Sequence, residues 1–365
     1  MRLHRMLLAT MLALVPLTGL APGAAIANPA REISGKVEVF AAGLVYPRGL
    51  KFGSDGNLYV AEAGPGGDAV TPGTCPGYTS PFEPYHAALT ARISKVSPTG
   101  RRTTVAGGLP SARDRFGDVL GAADVVVHGR TIYALVAGGG CSRGLEDTPS
   151  GIWRLNRDRS WTVVADFSRF LADNPTAAPP DDDFEPDGAI SNMVSVGRNL
   201  YVVEANHGEI DKVDPNRGRI RRVLDISAGH GHITPTAMAR RGDHLYVGNL
   251  GSFPIQRGAS IIFRVDLHGR HERVVARGLT AVLGLAFDRR GRLYALETTT
   301  VDNDFPQPGT GRVVRVSGGG QLVPVATGLS FPTGLTAGPD GHLYVSEFGY
   351  GGDPAAGRIL RINPR

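Results

Sequence analysis

Short apolar runs broken by glycine turns recur along this chain, and they align on a Leu/Ile-Tyr pair. The pair stands at Leu58-Tyr59, Ile132-Tyr133, Leu200-Tyr201, Leu245-Tyr246, Leu293-Tyr294 and Leu343-Tyr344. A glycine precedes each pair by two or three residues, at Gly56, Gly129, Gly197, Gly242, Gly291 and Gly341. Asp55-Gly56 and Asp340-Gly341 suit tight hairpins, because both residue types tolerate positive φ. Before each turn lies a short apolar segment such as Gly49-Leu50-Lys51-Phe52 or Gly284-Leu285-Ala286-Phe287. After each Tyr strand comes an aliphatic-x-Lys/Arg-aliphatic segment, beginning at Ile93, Ile152, Ile210, Ile262, Val313 and Ile359. A fourth short strand follows, as in Arg273-Val274-Val275 and Leu322-Val323-Pro324-Val325.

Self-similarity of this kind marks a repeat fold. Four short antiparallel strands in each of six units predict an all-β, six-bladed β-propeller. A β-sandwich would leave the repeats unexplained. Lys36 to Ala41 reads as a fourth strand, yet it precedes the first blade, while the last blade ends after its third strand at Ile362. The N-terminal strand is therefore expected to close the last blade and hide its open edge.

Strand direction then sorts the connections. The glycine turns and the turns between third and fourth strands are short and share one face. The opposite face takes the long insertions, roughly 63–92, 137–151, 250–260 and 298–312, and the link 166–186. Insertions gathered on one face of a repeat protein commonly build a binding surface. Cys75 and Cys141 lie in equivalent insertions of adjacent blades and are expected to form a disulfide outside the cytoplasm.

Composition fits this picture. Gly 50 and Pro 26 disfavour long helices and suit many turns, and 41% hydrophobic residues allow a large core. The 39 Lys+Arg and 34 Asp+Glu are scattered, with no basic run of the kind a nucleic acid would need. Residues 1–27 read as a signal peptide: Arg2 and Arg5, an apolar run from Met6 to Leu20, and Ala25-Ile26-Ala27 before a cleavage site. Residues 28–365 would be the propeller domain of a secreted or extracytoplasmic protein. No later segment is apolar for long enough to span a membrane as a helix. The chain is expected to act as a monomer on a small molecule or an extracellular protein.

Two groups of residues are candidates for chemistry. Three positions after each Tyr stand Glu62, Val136, Glu204, Asn249, Glu297 and Glu347. Four carboxylates and an amide in equivalent places could crown the channel and hold Ca²⁺ or another divalent cation. They could equally cap the backbone of the following loop in each blade. The third-strand cations, Lys95, Arg154, Lys212, Arg264, Arg315 and Arg361, are competing partners for them. The second group is polar and lies near blades three and four: Asn192, Asn206, His207, His230, His232 and Thr236. No nucleophile elbow, zinc-protease helix motif, phosphate loop or dinucleotide fingerprint occurs.

Some stretches resemble a known family. Thr234-Pro235-Thr236 through Leu245-Tyr246-Val247-Gly248, Gly251-Ser252-Phe253-Pro254, Ser191-Asn192 through Glu204, and Leu293 to Glu297 are similar to the ScyD/ScyE family. More distantly they resemble NHL-repeat proteins. The resemblance spans nearly all of residues 28–365 and implies an extracytoplasmic six-bladed propeller whose biochemical role is largely unassigned. The chain departs from it at Asn192-Met193-Val194, where the family has Asn-Pro-Tyr, and at Gly248-Asn249, where it has Gly-Glu. A non-catalytic binding or scaffold protein is the leading reading. A metal-dependent lactonase-like hydrolase and a quinoprotein sugar dehydrogenase are the alternatives. The pattern from Pro47-Arg48-Gly49-Leu50 to Glu62 also resembles the latter.

Overall fold

A computed structural model describes residues 37–181 and 184–364. The proposed signal peptide lies outside these residues. Among them are six sheets, five of four strands and one of five. Blade one is built from Pro47–Phe52, Leu58–Glu62, His86–Val96 and Arg102–Arg113, with Val119–Leu120 added at its outer edge. Blade two runs from Ala122–His128 to Trp161–Asp166, blade three from Ile190–Val196 to Arg219–Asp225, and blade four from Pro235–Arg241 to Arg273–Leu279. Blade five runs from Val282–Phe287 to Leu322–Leu329. The last blade has Gly334–Ala337, Leu343–Glu347 and Gly357–Ile362, and its fourth strand is Val37–Leu44 from the other end of the domain. Val37 pairs with Ile362 and Leu44 with Gly357, antiparallel, so the ring is closed as the displaced strand predicts.

The core sits between blades. One cluster joins Val126, Tyr133 and Leu135 of blade two to Met193, Leu200 and Val202 of blade three. Another joins Ala41, Leu44, Tyr344 and Ile359 of the closing blade to Leu50, Leu58 and Val60 of blade one. Similar clusters fill the other junctions. A blade face is therefore buried only by its neighbour, which makes the ring cooperative.

Each repeated Tyr stands opposite the third-strand cation of its blade, as Tyr59 does Lys95 and Tyr344 does Arg361. Tyr59 and Tyr344 each donate their hydroxyl to the turn aspartate, Asp55 and Asp340, at 3.0 Å. These cations thus sit at the short-turn end of their blades. They are not the partners of the acidic positions, which pair elsewhere.

Two features were not visible in the repeat. The outer hairpin of blade one continues to Arg113, past the expected strand end, with register shifts between Ala88 and Ser94. In the link after blade two, Phe167–Asp173 forms a helix. Asp166 caps it by accepting the Arg169 N–H at 2.9 Å, and Phe167 and Leu171, one turn apart, are buried.

Candidate functional site

The second strands end at the insertion-bearing face, and there the acidic positions are wholly enclosed. Glu62, Glu204, Glu297 and Glu347 are at most 1% exposed. Glu62 accepts the Val45 N–H at 2.6 Å, Glu297 the Thr280 N–H at 2.7 Å and Glu347 the Ser330 N–H at 2.6 Å. The next residue in each case, Tyr46, Ala281 or Phe331, is left-handed, with φ of 47°, 47° and 48°. A non-glycine residue pays for that conformation in strain. The carboxylate holds the turn that leads into the first strand of the same blade. Glu204 does likewise in blade three, accepting from Ala189, Asn206 and His207 N–H groups at 2.6, 3.0 and 2.6 Å. Asn249 reaches the Ile233 carbonyl at 3.0 Å and accepts from Ile261 at 2.8 Å. Its turn residue, Thr234, has φ 51°.

Arginines of the third strand also meet three of these carboxylates. Arg92 lies 2.7 Å from Glu62, Arg312 2.5 Å from Glu297 and Arg358 2.6 Å from Glu347. Arg102 adds a second contact to Glu62 at 2.9 Å. Burial alone would raise the Glu62 carboxyl, but Arg92, Ser94 and the Val45 N–H hold it below the usual carboxylate range. In blade two Val136 replaces the acid and packs in the core. Among the described residues, only Cys75, Cys141 and Asp187 bring three metal-ligand atoms within 4.8 Å of one another. Both sulfurs there are in a disulfide, with Cα atoms 4.9 Å apart.

Over this floor the insertions enclose a cavity of about 890 Å³. It opens toward a narrower space of about 190 Å³ at the channel mouth, which Asp118, Thr234, Phe253 and Tyr350 also line. One wall is polar and tightly knit. Arg143, fully buried, lies 3.5 Å from Glu185 and over the Tyr85 ring at 5.9 Å. Glu185 accepts the Tyr85 hydroxyl at 2.9 Å and that of Ser80. The disulfide and Asp187 anchor this wall, since Asp187 accepts the Ser142 N–H at 2.7 Å beside Cys141.

The rim is aromatic. Phe116, Phe305 and Phe253 come from three different blades, with ring centroids 5.8 and 5.7 Å apart in that order. They are 54%, 41% and 47% exposed. Three large apolar rings in contact and facing water are a candidate recognition surface.

The polar candidates divide. Asn206 and His232 line the cavity, and Thr236 lines the channel mouth, where its hydroxyl reaches the Val282 carbonyl. His207 is buried, with Nε2 2.9 Å from the Glu185 carbonyl. His230 instead meets Glu272 at 2.7 Å and stacks on Phe263, and it does not line the cavity. Asn192 faces Val203 in the first strand of blade three, and its Oδ1 is buried without a hydrogen bond. Sequence reasoning missed Tyr85, Asp114, Arg143, Glu185 and the aromatic rim. The available signal was a single aromatic residue in each of the insertions 250–260 and 298–312, Phe253 and Phe305, where turn residues otherwise dominate.

Fold and site together define a six-bladed propeller with a cavity on its insertion face. No protein-family model and no curated protein matches the chain. Among solved structures it is similar to regucalcin, a calcium-binding protein from Agrobacterium tumefaciens, at 11% identity. That match covers 90% of this chain and 93% of the other, with a TM-score of 0.56. It is also similar to an oxidoreductase (glucose dehydrogenase) from Thermus thermophilus, at 18% identity. There 90% of this chain and 99% of the other are covered, with a TM-score of 0.52. At these identities the likeness is one of fold.

Proposed function

We propose that the chain is an exported, ScyD/ScyE-like binding protein that holds a small molecule in the cavity of its insertion face. The observation that carries this reading is the cavity itself: about 890 Å³, rimmed by Phe116, Phe253 and Phe305 and backed by the buried Arg143–Glu185–Tyr85 wall. A largely apolar pocket with a few fixed polar groups is the usual form of a small-molecule site. The engagement of the recurring carboxylates with arginines and backbone favours this reading over a metal-dependent hydrolase. The disulfide beside the wall suits an oxidising compartment.

Thermal-shift screening of the purified protein against a varied small-molecule library tests the proposal. Ligands that raise the melting temperature of the wild type should lose that effect in Phe253→Ala with Phe305→Ala. Hits that stabilise the rim variant equally would remove the cavity from consideration. The quinoprotein alternative is tested separately, by reconstitution with pyrroloquinoline quinone and a search for its absorption band.

A further inference from the structure

The charges around the mouth of the cavity do not balance as the inner wall does. Arg143 and Glu185 cancel each other in the interior. Asp118 is met by Arg48 at 3.2 Å. Asp114 has no ion-pair partner among the described residues, for Arg115 beside it on the cavity lining turns to the Phe116 ring. Its Oδ1 accepts the N–H groups of Phe116 and Asp118 at 2.8 and 2.9 Å and the Gly117 N–H also favours its charge, while among the described residues no side chain donates to Oδ2. Burial and the neighbouring Asp118 push the Asp114 carboxyl up to about 6, so its charge is poorly compensated. The Tyr350 hydroxyl, on the same cavity, also makes no hydrogen bond among the described residues. Asp114 and Asp118 both act on that phenol and raise it further than burial does alone.

The apolar side of the mouth carries the complementary signal. The faces of aromatic rings attract cations. Arg115 already lies 4.5 Å from the Phe116 centroid, so a cation is accommodated on this ring. The Phe116–Phe305–Phe253 run then offers a continuous apolar surface beside the acid.

Building on the cavity reading, we infer that the ligand is a protonated amine on a flat apolar or aromatic body. Its ammonium is held by Asp114 Oδ2 and Tyr350 Oη, and its body lies against Phe116, Phe305 and Phe253. An ammonium supplies the donors that Asp114 Oδ2 lacks, and a neutral or anionic compound of the same shape does not.

Three probes with one body separate the charge from the shape: 1-naphthylmethylamine, 1-naphthalenemethanol and 1-naphthoate, titrated into the full chain by calorimetry. The amine should bind at least about tenfold more tightly than the alcohol, a ratio worth about 1.4 kcal/mol, and the carboxylate should bind most weakly. Asp114→Asn keeps the Oδ1 acceptor of the turn, so it preserves the fold. It should abolish the preference for the amine and leave alcohol binding unchanged. Amine affinity should also fall as pH drops below about 6, while alcohol affinity stays level. Equal affinities for amine and alcohol, or an amine preference that survives Asp114→Asn, would overturn the inference and leave the cavity reading standing. Failure of all three probes to bind at millimolar concentration would also overturn it. The cavity reading itself falls only if the broader thermal-shift screen yields no rim-dependent ligand.

Discussion

Glu297 accepts the backbone N–H of Thr280 at 2.7 Å, and the residue after Thr280 is the left-handed Ala281. With Arg312 on its other oxygen, this buried carboxylate locks the turn that starts blade five. Glu297→Gln keeps an acceptor but loses the charge, so it should destabilise the protein by about 1.5–3 kcal/mol, the range for a hydrogen bond to a charged group. Denaturant melts should show the midpoint fall with an unchanged slope. The same reading expects melting temperatures that are equal in calcium, magnesium and chelator. A rise in calcium that Glu204→Gln with Glu297→Gln removes would restore the cation reading.

Blade three varies this device. Glu209 occupies the position that Arg312 and Arg358 hold elsewhere, and it takes Arg222 as its partner. Its Oε1 and both oxygens of Asp211 are buried without a donor among the described residues, and burial together with neighbouring carboxylate charge favours a proton shared by the pair. Burial, then the charge of Glu209, raises Asp211 well above its ordinary range. The folded protein therefore keeps this proton at pH values where the unfolded chain has lost it. The resulting stability is present at low pH and lost as pH rises through the folded-state value. Asp211→Asn donates to Glu209 without needing a proton. It should raise the melting temperature at about pH 8 and flatten the fall of stability between about pH 5 and about pH 8. A variant no more stable than the wild type at the higher pH would refute the shared proton.

Closure of the ring depends on Val37–Leu44. Its removal exposes the edge of Gly357–Ile362 and empties the contacts that Ala41 and Leu44 make between the first and last blades. A chain starting after Leu44 should show no cooperative melt by circular dichroism. A melt like that of the parent would mean that the strand is dispensable.

The Cys75–Cys141 bridge closes a loop of 66 residues beside the cavity wall. Thiol titration of the denatured, unreduced protein should find no free thiol. Cys75→Ser with Cys141→Ser should cost about 2–4 kcal/mol by the chain-entropy account. Because Arg143 follows Cys141 by two residues, the double variant should also weaken any ligand that the cavity binds. Stability loss with ligand affinity unchanged would separate the bridge from the site.

The number of blades, the displaced closing strand, the face bearing the insertions and the position of the disulfide were all written in the sequence. Each follows from local periodicity and chain direction: a Leu-Tyr strand after a glycine turn looks the same wherever it occurs. The side chains at Glu62, Glu204, Glu297 and Glu347 were visible as a recurring set, but not what they hold. Their partners are an N–H some 15–17 residues earlier and, for Glu62, Glu297 and Glu347, an arginine of the third strand. Both distances depend on how the turn folds back in space. The cavity was legible least of all. Phe116, Phe253 and Phe305 are far apart in the chain, and Asp114 and Tyr350 come from opposite ends of the domain. Only the curvature of a closed ring brings insertions from different blades over one opening, because each blade is placed by its neighbours rather than by its own sequence.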